Sequence, residues 1–137
     1  MKSKIIIVTI ASFICFSCSK NDSDESTAQS ILGKWNYKET IINDVTYIYE
    51  DHEPCGKDYI EFYNENSLKS VDVFGCQPIT DWTGTFSKNG NTLIIYNGQE
   101  NITTEIIELT QNKLSFKFNY DNDGNGVLEQ TISVFDR

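Results

Sequence analysis

The chain has 137 residues, 20 acidic against 11 basic side chains, a net charge of −9 and 12% aromatic residues. That length suits one domain with a sizeable core. The acidity argues against a phosphate-binding surface, so nucleic acid is excluded as a partner, and the aromatic content argues against intrinsic disorder.

Met1-Lys2-Ser3-Lys4 precedes an apolar run from Ile5 to Phe16, broken only by Thr9 and Ser12. Lysines, then an apolar stretch, then small residues is the order of a secretory signal. The run is shorter than the roughly 20 residues that span a bilayer. Phe16-Ser17-Cys18 resembles the bacterial lipobox, in which a small residue precedes the cysteine that takes diacylglycerol. Cys15 fits that role less well, because bulky Ile14 precedes it. A signal peptide over 1–17 and lipid on Cys18 are therefore expected. They place the mature protein in the cell envelope, held to the outer membrane by its lipid and facing either the periplasm or the surface. Residues 18–30 contain Asp22, Asp24 and Glu25 and, beyond Cys18, no apolar side chain but Ala28. They read as an acidic flexible tether. The acidic run resembles the signals that carry some lipoproteins to the outer surface, and a plain solvated linker accounts for it equally well.

From residue 31 onward apolar and polar positions alternate. Candidate strands are 33–42, 59–63, 67–74, 81–87, 92–96, 101–109, 113–120 and 127–135. Turn-forming residues separate them, as in Asn64-Glu65-Asn66, Lys88-Asn89-Gly90-Asn91 and Asn97-Gly98-Gln99. Short strands at this spacing indicate an all-β domain over 31–137: an antiparallel up-and-down meander of about eight strands closing into a barrel. Closure leaves no edge to pair with a second copy, and a monomer is expected. Val45 to Tyr49 also alternates, and Asn43-Asp44 before it suits a tight hairpin, so a ninth or tenth strand is open.

Once Cys15 leaves with the signal and Cys18 carries lipid, Cys55 and Cys76 remain. In an exported protein they favour a disulfide. They lie symmetrically about Glu65-Asn66, the centre of a predicted hairpin turn, and would face each other across its open end. A pair of metal-binding thiolates is the competing reading, though no second Cys or His pair stands at ligand spacing.

His52, the one histidine, sits in the hydrophilic stretch Glu50-Asp51-His52-Glu53-Pro54 and reads as a solvated loop residue, with nothing to complete a triad or a zinc site. Asp121, Asp123 and Asn125, followed by Gly126, match the first half of a calcium loop. Its twelfth position is Ile132 instead of Glu, and a wide hairpin turn explains the same residues. No phosphate-cradling glycine loop, nucleophile elbow or HExxH motif is present, so neither an enzyme nor a cofactor is expected.

Leu32-Gly33-Lys34-Trp35 at the head of the first strand resembles the opening Gly-x-Trp motif of lipocalins. Further along come Cys55-Gly-Lys-Asp58 with Ile60 and Phe62, then Cys76, Trp82-Thr-Gly84-Thr-Phe86, Leu93, Ile106-Ile-Glu-Leu-Thr110 and Leu114-Ser-Phe116. This ordered series resembles the lipocalin-like domains of bacterial envelope lipoproteins. The resemblance implies a lipocalin-like barrel with a possible internal cavity, for which Trp35, Ile60, Phe62, Trp82, Phe86, Phe116 and Phe118 are the lining candidates. It also implies a basic residue packed on the opening Trp; here that is Arg137 within 6 Å of Trp35. The chain is shorter than classical lipocalins and lacks their later motifs. Two functions follow: binding of a small apolar ligand in the barrel, or a filled barrel serving as a non-enzymatic interaction module. An apolar cavity of about 300 Å³ or more would favour the first.

Overall fold

A computed structural model describes residues 29–137. The expected signal, Cys18 and nearly all of the tether lie outside the described residues. Nine strands follow in chain order: β1 (Gly33–Ile42), β2 (Val45–Ile48), β3 (Tyr59–Tyr63), β4 (Ser67–Phe74), β5 (Gln77–Asn89), β6 (Thr92–Tyr96), β7 (Asn101–Leu109), β8 (Lys113–Tyr120) and β9 (Glu129–Asp136). Every pairing is antiparallel, and sequential strands from β3 to β9 are neighbours. β1 pairs with β3 on one side and along Asn36–Ile42 with β9 on the other, which closes the sheet into a barrel.

β2 is the extra strand. Asn43 and Asp44 adopt φ of 48° and 66°, the two left-handed positions of a tight hairpin turn that Asn and Asp tolerate best. β1 thus changes partners on one side, from β3 up to Asn36 to β2 from Glu39 onward. β5 is longer at both ends than the predicted 81–87. Gly75 and Cys76, both at positive φ, form another two-residue turn that carries the ladder on to Phe74–Gln77. Pro78 sits within the strand. The pair flanking a two-residue hairpin turn is the hydrogen-bonded one, so the next pair, Val73–Pro78, is not. The missing N–H of Pro78 therefore falls on an edge that β6, which joins only at Thr85, leaves free.

Alternation decides the core. Trp35, Phe62, Leu68, Leu93, Leu114 and Phe135 are almost wholly excluded from solvent. Each fully buried leucine contributes roughly 1.5–3 kcal/mol. The rhythm breaks at three bulges, between Tyr37 and Glu39 of β1, opposite Ser70–Val71 of β4, and between Ile106 and Glu108 of β7. The extra residue on β5 is Asp81, and on β7 it is Ile107, which is exposed.

An apolar cavity beneath an acidic mouth

One end of the barrel is solid. Trp35 donates its indole N–H to the Ile31 carbonyl at 2.7 Å, and the Arg137 guanidinium lies 3.7 Å from the ring centre. Phe62 meets Phe86 edge-on, with centroids 5.0 Å apart. Trp35, Phe62 and Phe86 are buried in this packing and do not line the apolar cavity of the barrel interior.

Above it the interior opens into an apolar cavity of about 190 Å³. Ile60, Trp82, Phe116 and Phe118, all named from sequence, line it, joined by Tyr37, Ile95, Ile102 and Phe135. These four stand at alternating positions of β3, β5 and β8, so the sequence signal was present in the period-2 pattern. What the pattern does not reveal is how far up the barrel the packed layers reach. The volume falls below the ~300 Å³ that marks typical small-molecule pockets. It exceeds the ~150 Å³ that is enough to take up benzene.

Tyr37 and Trp82 also line a second, polar cleft of about 320 Å³ with Tyr49, Asp58, Asp72 and Asp81. The two spaces share a wall. Asp58 is buried at 2% exposure, accepting from the Tyr49 hydroxyl and from the Val73 N–H, each at 2.7 Å. That N–H points away from β5 because Val73 faces Pro78 in the pair without hydrogen bonds, so Asp58 satisfies a donor the ladder cannot. Burial first, then the hydrogen bond and charge of Asp58, push the Tyr49 phenol well above its ordinary value. Burial likewise raises Tyr37, whose hydroxyl meets Ser70 at 3.0 Å, and Asp81 and Asp58 add to the effect.

His52 corrects the sequence reading. It is half-buried instead of solvated, and it bridges β1 and the segment that leads into β3. Nδ1 accepts the Asp58 N–H at 3.1 Å, and Nε2 lies 2.7 Å from the Tyr37 carbonyl. An amide can only donate and a carbonyl can only accept, so the ring is the neutral form protonated at Nε2. The Tyr37 carbonyl needs a partner because β1 changes neighbours there. Adjacency in space to a strand switch left no mark in the local sequence.

Comparison with known proteins places this architecture. The family model described as "Lipocalin-like domain" matches residues 31–116, more than half of the chain. The chain belongs to the lipocalin-like domain family. A lipocalin-like protein from Bacteroides uniformis is similar in structure, with a TM-score of 0.55 and 15% identity over 77% of this chain and 96% of that one. A protein from Bacteroides eggerthii aligns with a TM-score of 0.56 and 13% identity over 79% of this chain and 99% of that one. Both show the shared fold. No curated protein matches the chain in sequence.

In this lipocalin-like domain Cys55 and Cys76 form the expected disulfide, with Cα atoms 5.6 Å apart. The bond removes the thiolate alternative, although Glu53 stands close to both sulfurs. Glu53 instead accepts the backbone N–H groups of Gly75 and Cys76 at 2.9 and 3.3 Å, fastening the 49–58 loop to the β4–β5 turn. In the other candidate loop the carboxylates turn inward. Asp121 accepts from the Asn125 and Gly126 amides at 3.0 and 2.8 Å, and Asp123 accepts from the Asn125 amide at 3.1 Å. Asn125 in turn accepts from Val127 at 2.7 Å. Their oxygens cap a wide turn between β8 and β9, as the hairpin reading of these residues expects.

Proposed function

We propose that this lipocalin-like protein is an envelope lipoprotein, tethered to the membrane through a lipid on Cys18, whose barrel binds a small hydrophobic ligand. The observation that carries the binding half is the apolar cavity ringed by Ile60, Trp82, Phe116 and Phe118. Its walls are mostly rings and aliphatic chains, with Asn97, Thr104 and Ser133 the polar members and neither a carboxylate nor a histidine among the described lining residues to act as a base, which supports binding over catalysis. Its volume limits the buried part of the ligand to about a single ring with short substituents. The tethering half rests on the signal-like order of residues 1–17 and on Ser17-Cys18. Native mass spectrometry of the protein purified from its own cells tests the first half: a co-purifying small molecule is expected, and clean apo protein at all concentrations would sink it. Metabolic labelling with a clickable fatty acid tests the second, with label expected on the wild type and lost in Cys18→Ala.

A second reading, an interaction module, draws support from β2, whose Val45, Tyr47 and Ile48 are all exposed. Ligand in the purified protein separates the two, because a module with a filled barrel carries none.

A further inference from the structure

Resting on that binding reading, we propose that the ligand is a small hydrophobic cation, its apolar body in the barrel cavity and its ammonium group at the aspartate-lined mouth. Two independent features meet here. The apolar cavity and the polar cleft share Tyr37 and Trp82, so a molecule seated in one reaches the other along two aromatic rings. Aromatic faces attract cations, most strongly where water is partly excluded.

The chain geometry aims three carboxylates at that junction. Asp72 follows Leu68 and Ser70 at intervals of two along β4, which puts it on their face of the strand, exposed in the wall of the polar cleft. Asp81 is the extra residue of the β5 bulge beside Trp82, and a bulge re-aims the side chain it carries. Asp58, just before β3, is buried and accepts from the Val73 amide and the Tyr49 phenol. A buried carboxylate without a countercharge is costly, and a cation in the cleft would relieve it. Among the described residues neither Lys nor Arg lines the cleft. The four ion pairs among the described residues engage Asp136, Glu61, Glu108 and Glu105, and leave these three aspartates without a cation. Their mutual repulsion, after desolvation, holds the Asp72 carboxyl above its ordinary value, with Asp58 and Asp81 the nearest contributors. An anionic ligand would meet the same charges and be turned away, which gives the site selectivity by repulsion as well as attraction.

Three probes of one shape decide it: 2-phenylethylammonium, 2-phenylethanol and 3-phenylpropionate, titrated into the described domain with its tether and followed by the NMR shift of the Trp82 indole N–H. The ammonium is expected to bind at least tenfold tighter than the alcohol, and the carboxylate weakest of all. In the Asp72→Asn, Asp81→Asn double variant the preference for the ammonium should fall to about threefold or less, with alcohol binding retained as evidence that the cavity is intact. Equal binding of ammonium and alcohol to the wild type overturns the cationic ligand and leaves the apolar cavity standing. No binding of any probe overturns both readings.

Discussion

Arg137 lies over Trp35, its guanidinium carbon 3.7 Å from the ring centre, while its nitrogens donate to the carbonyls of Leu32 at 2.6 Å and Lys34 at 3.3 Å. The contact joins the start of β1 to the end of β9 at the solid end of the barrel. Gly33 makes room for it: its φ is +113°, and a Cβ there would come within 3.2 Å of the guanidinium. Partial burial lowers the Arg137 pKa, so the charge carries a desolvation cost that the ring and the two carbonyls offset.

Arg137→Ala is expected to cost about 1–3 kcal/mol from the lost ring contact and hydrogen bonds. Arg137→Lys should recover less than half of it, because one ammonium cannot stack on the indole and serve two carbonyls together. The urea midpoint of each variant measures this. An alanine variant as stable as the wild type rejects the account.

His52 makes a more specific prediction. The hydrogen-bond pattern requires the neutral Nε2–H form, and ¹⁵N shifts of the ring near neutral pH should show a protonated Nε2 and a bare Nδ1. His52→Ala strands the Asp58 amide and the Tyr37 carbonyl, and should lower stability by about 1–3 kcal/mol. His52→Asn, with one donor and one acceptor, should recover part of that. A ring found as the Nδ1–H tautomer contradicts the geometry.

The barrel was legible from residue types because its core follows one rule, alternation, repeated on eight strands. The contact between Trp35 and Arg137 was legible too, through the family resemblance and the closure of the sheet. The mouth was not. Asp58, Asp72 and Asp81 look like any of twenty acids in the sequence. What gathers them is a bulge at Asp81, a β4–β5 hairpin that runs past Pro78, and a loop held by Glu53, and each of these is a departure from regular pairing. His52 was misread for the same reason: its partners are backbone groups freed where β1 changes neighbours.

The disulfide closes a loop with a sequence separation of 21, and in the chain-entropy model this is worth roughly 3 kcal/mol. Addition of a phosphine reductant is expected to lower the melting temperature of the wild type. The Cys55→Ser, Cys76→Ser double variant should melt at that lower temperature with and without reductant. Because the bond anchors the loop that carries His52 and Asp58, amide exchange should rise in residues 50–58 before it rises in β6 to β9. Uniform loss of protection would point instead to a global effect.

Gly84 faces the Tyr96 carbonyl, which occupies the space a Cβ would need. This approach lets the β6–β7 turn fold across β5 and brings Asn97 to the cavity wall. Gly84→Ala must push backbone against backbone, and a loss of about 2–4 kcal/mol is expected from that overpacking. Shift changes in a ¹⁵N spectrum should centre on residues 95–100. A silent Gly84→Ala would mean that the turn does not close over the barrel in this way.

The acidic mouth sets its own cost in stability. Asp72 titrates above its ordinary value, from desolvation of the carboxyl and then the charges of Asp58, Asp81 and Glu53. A carboxyl with a raised folded pKa holds its proton more tightly in the native state than in the unfolded chain, so its contribution becomes unfavourable as pH rises through that range. Asp72→Asn is therefore expected to raise the melting temperature at pH 7. The gain should shrink toward pH 3, where the carboxyl is protonated in both states, and should also shrink in high salt. A surface acid kept only for solubility would show none of this. A stabilising Asp72→Asn that also loses its preference for a cationic probe would place the residue among those that sacrifice stability for binding. If Asp72→Asn destabilises the protein at neutral pH instead, Asp72 must hold the fold through a contact that outweighs the repulsion, and the mouth is then scaffold.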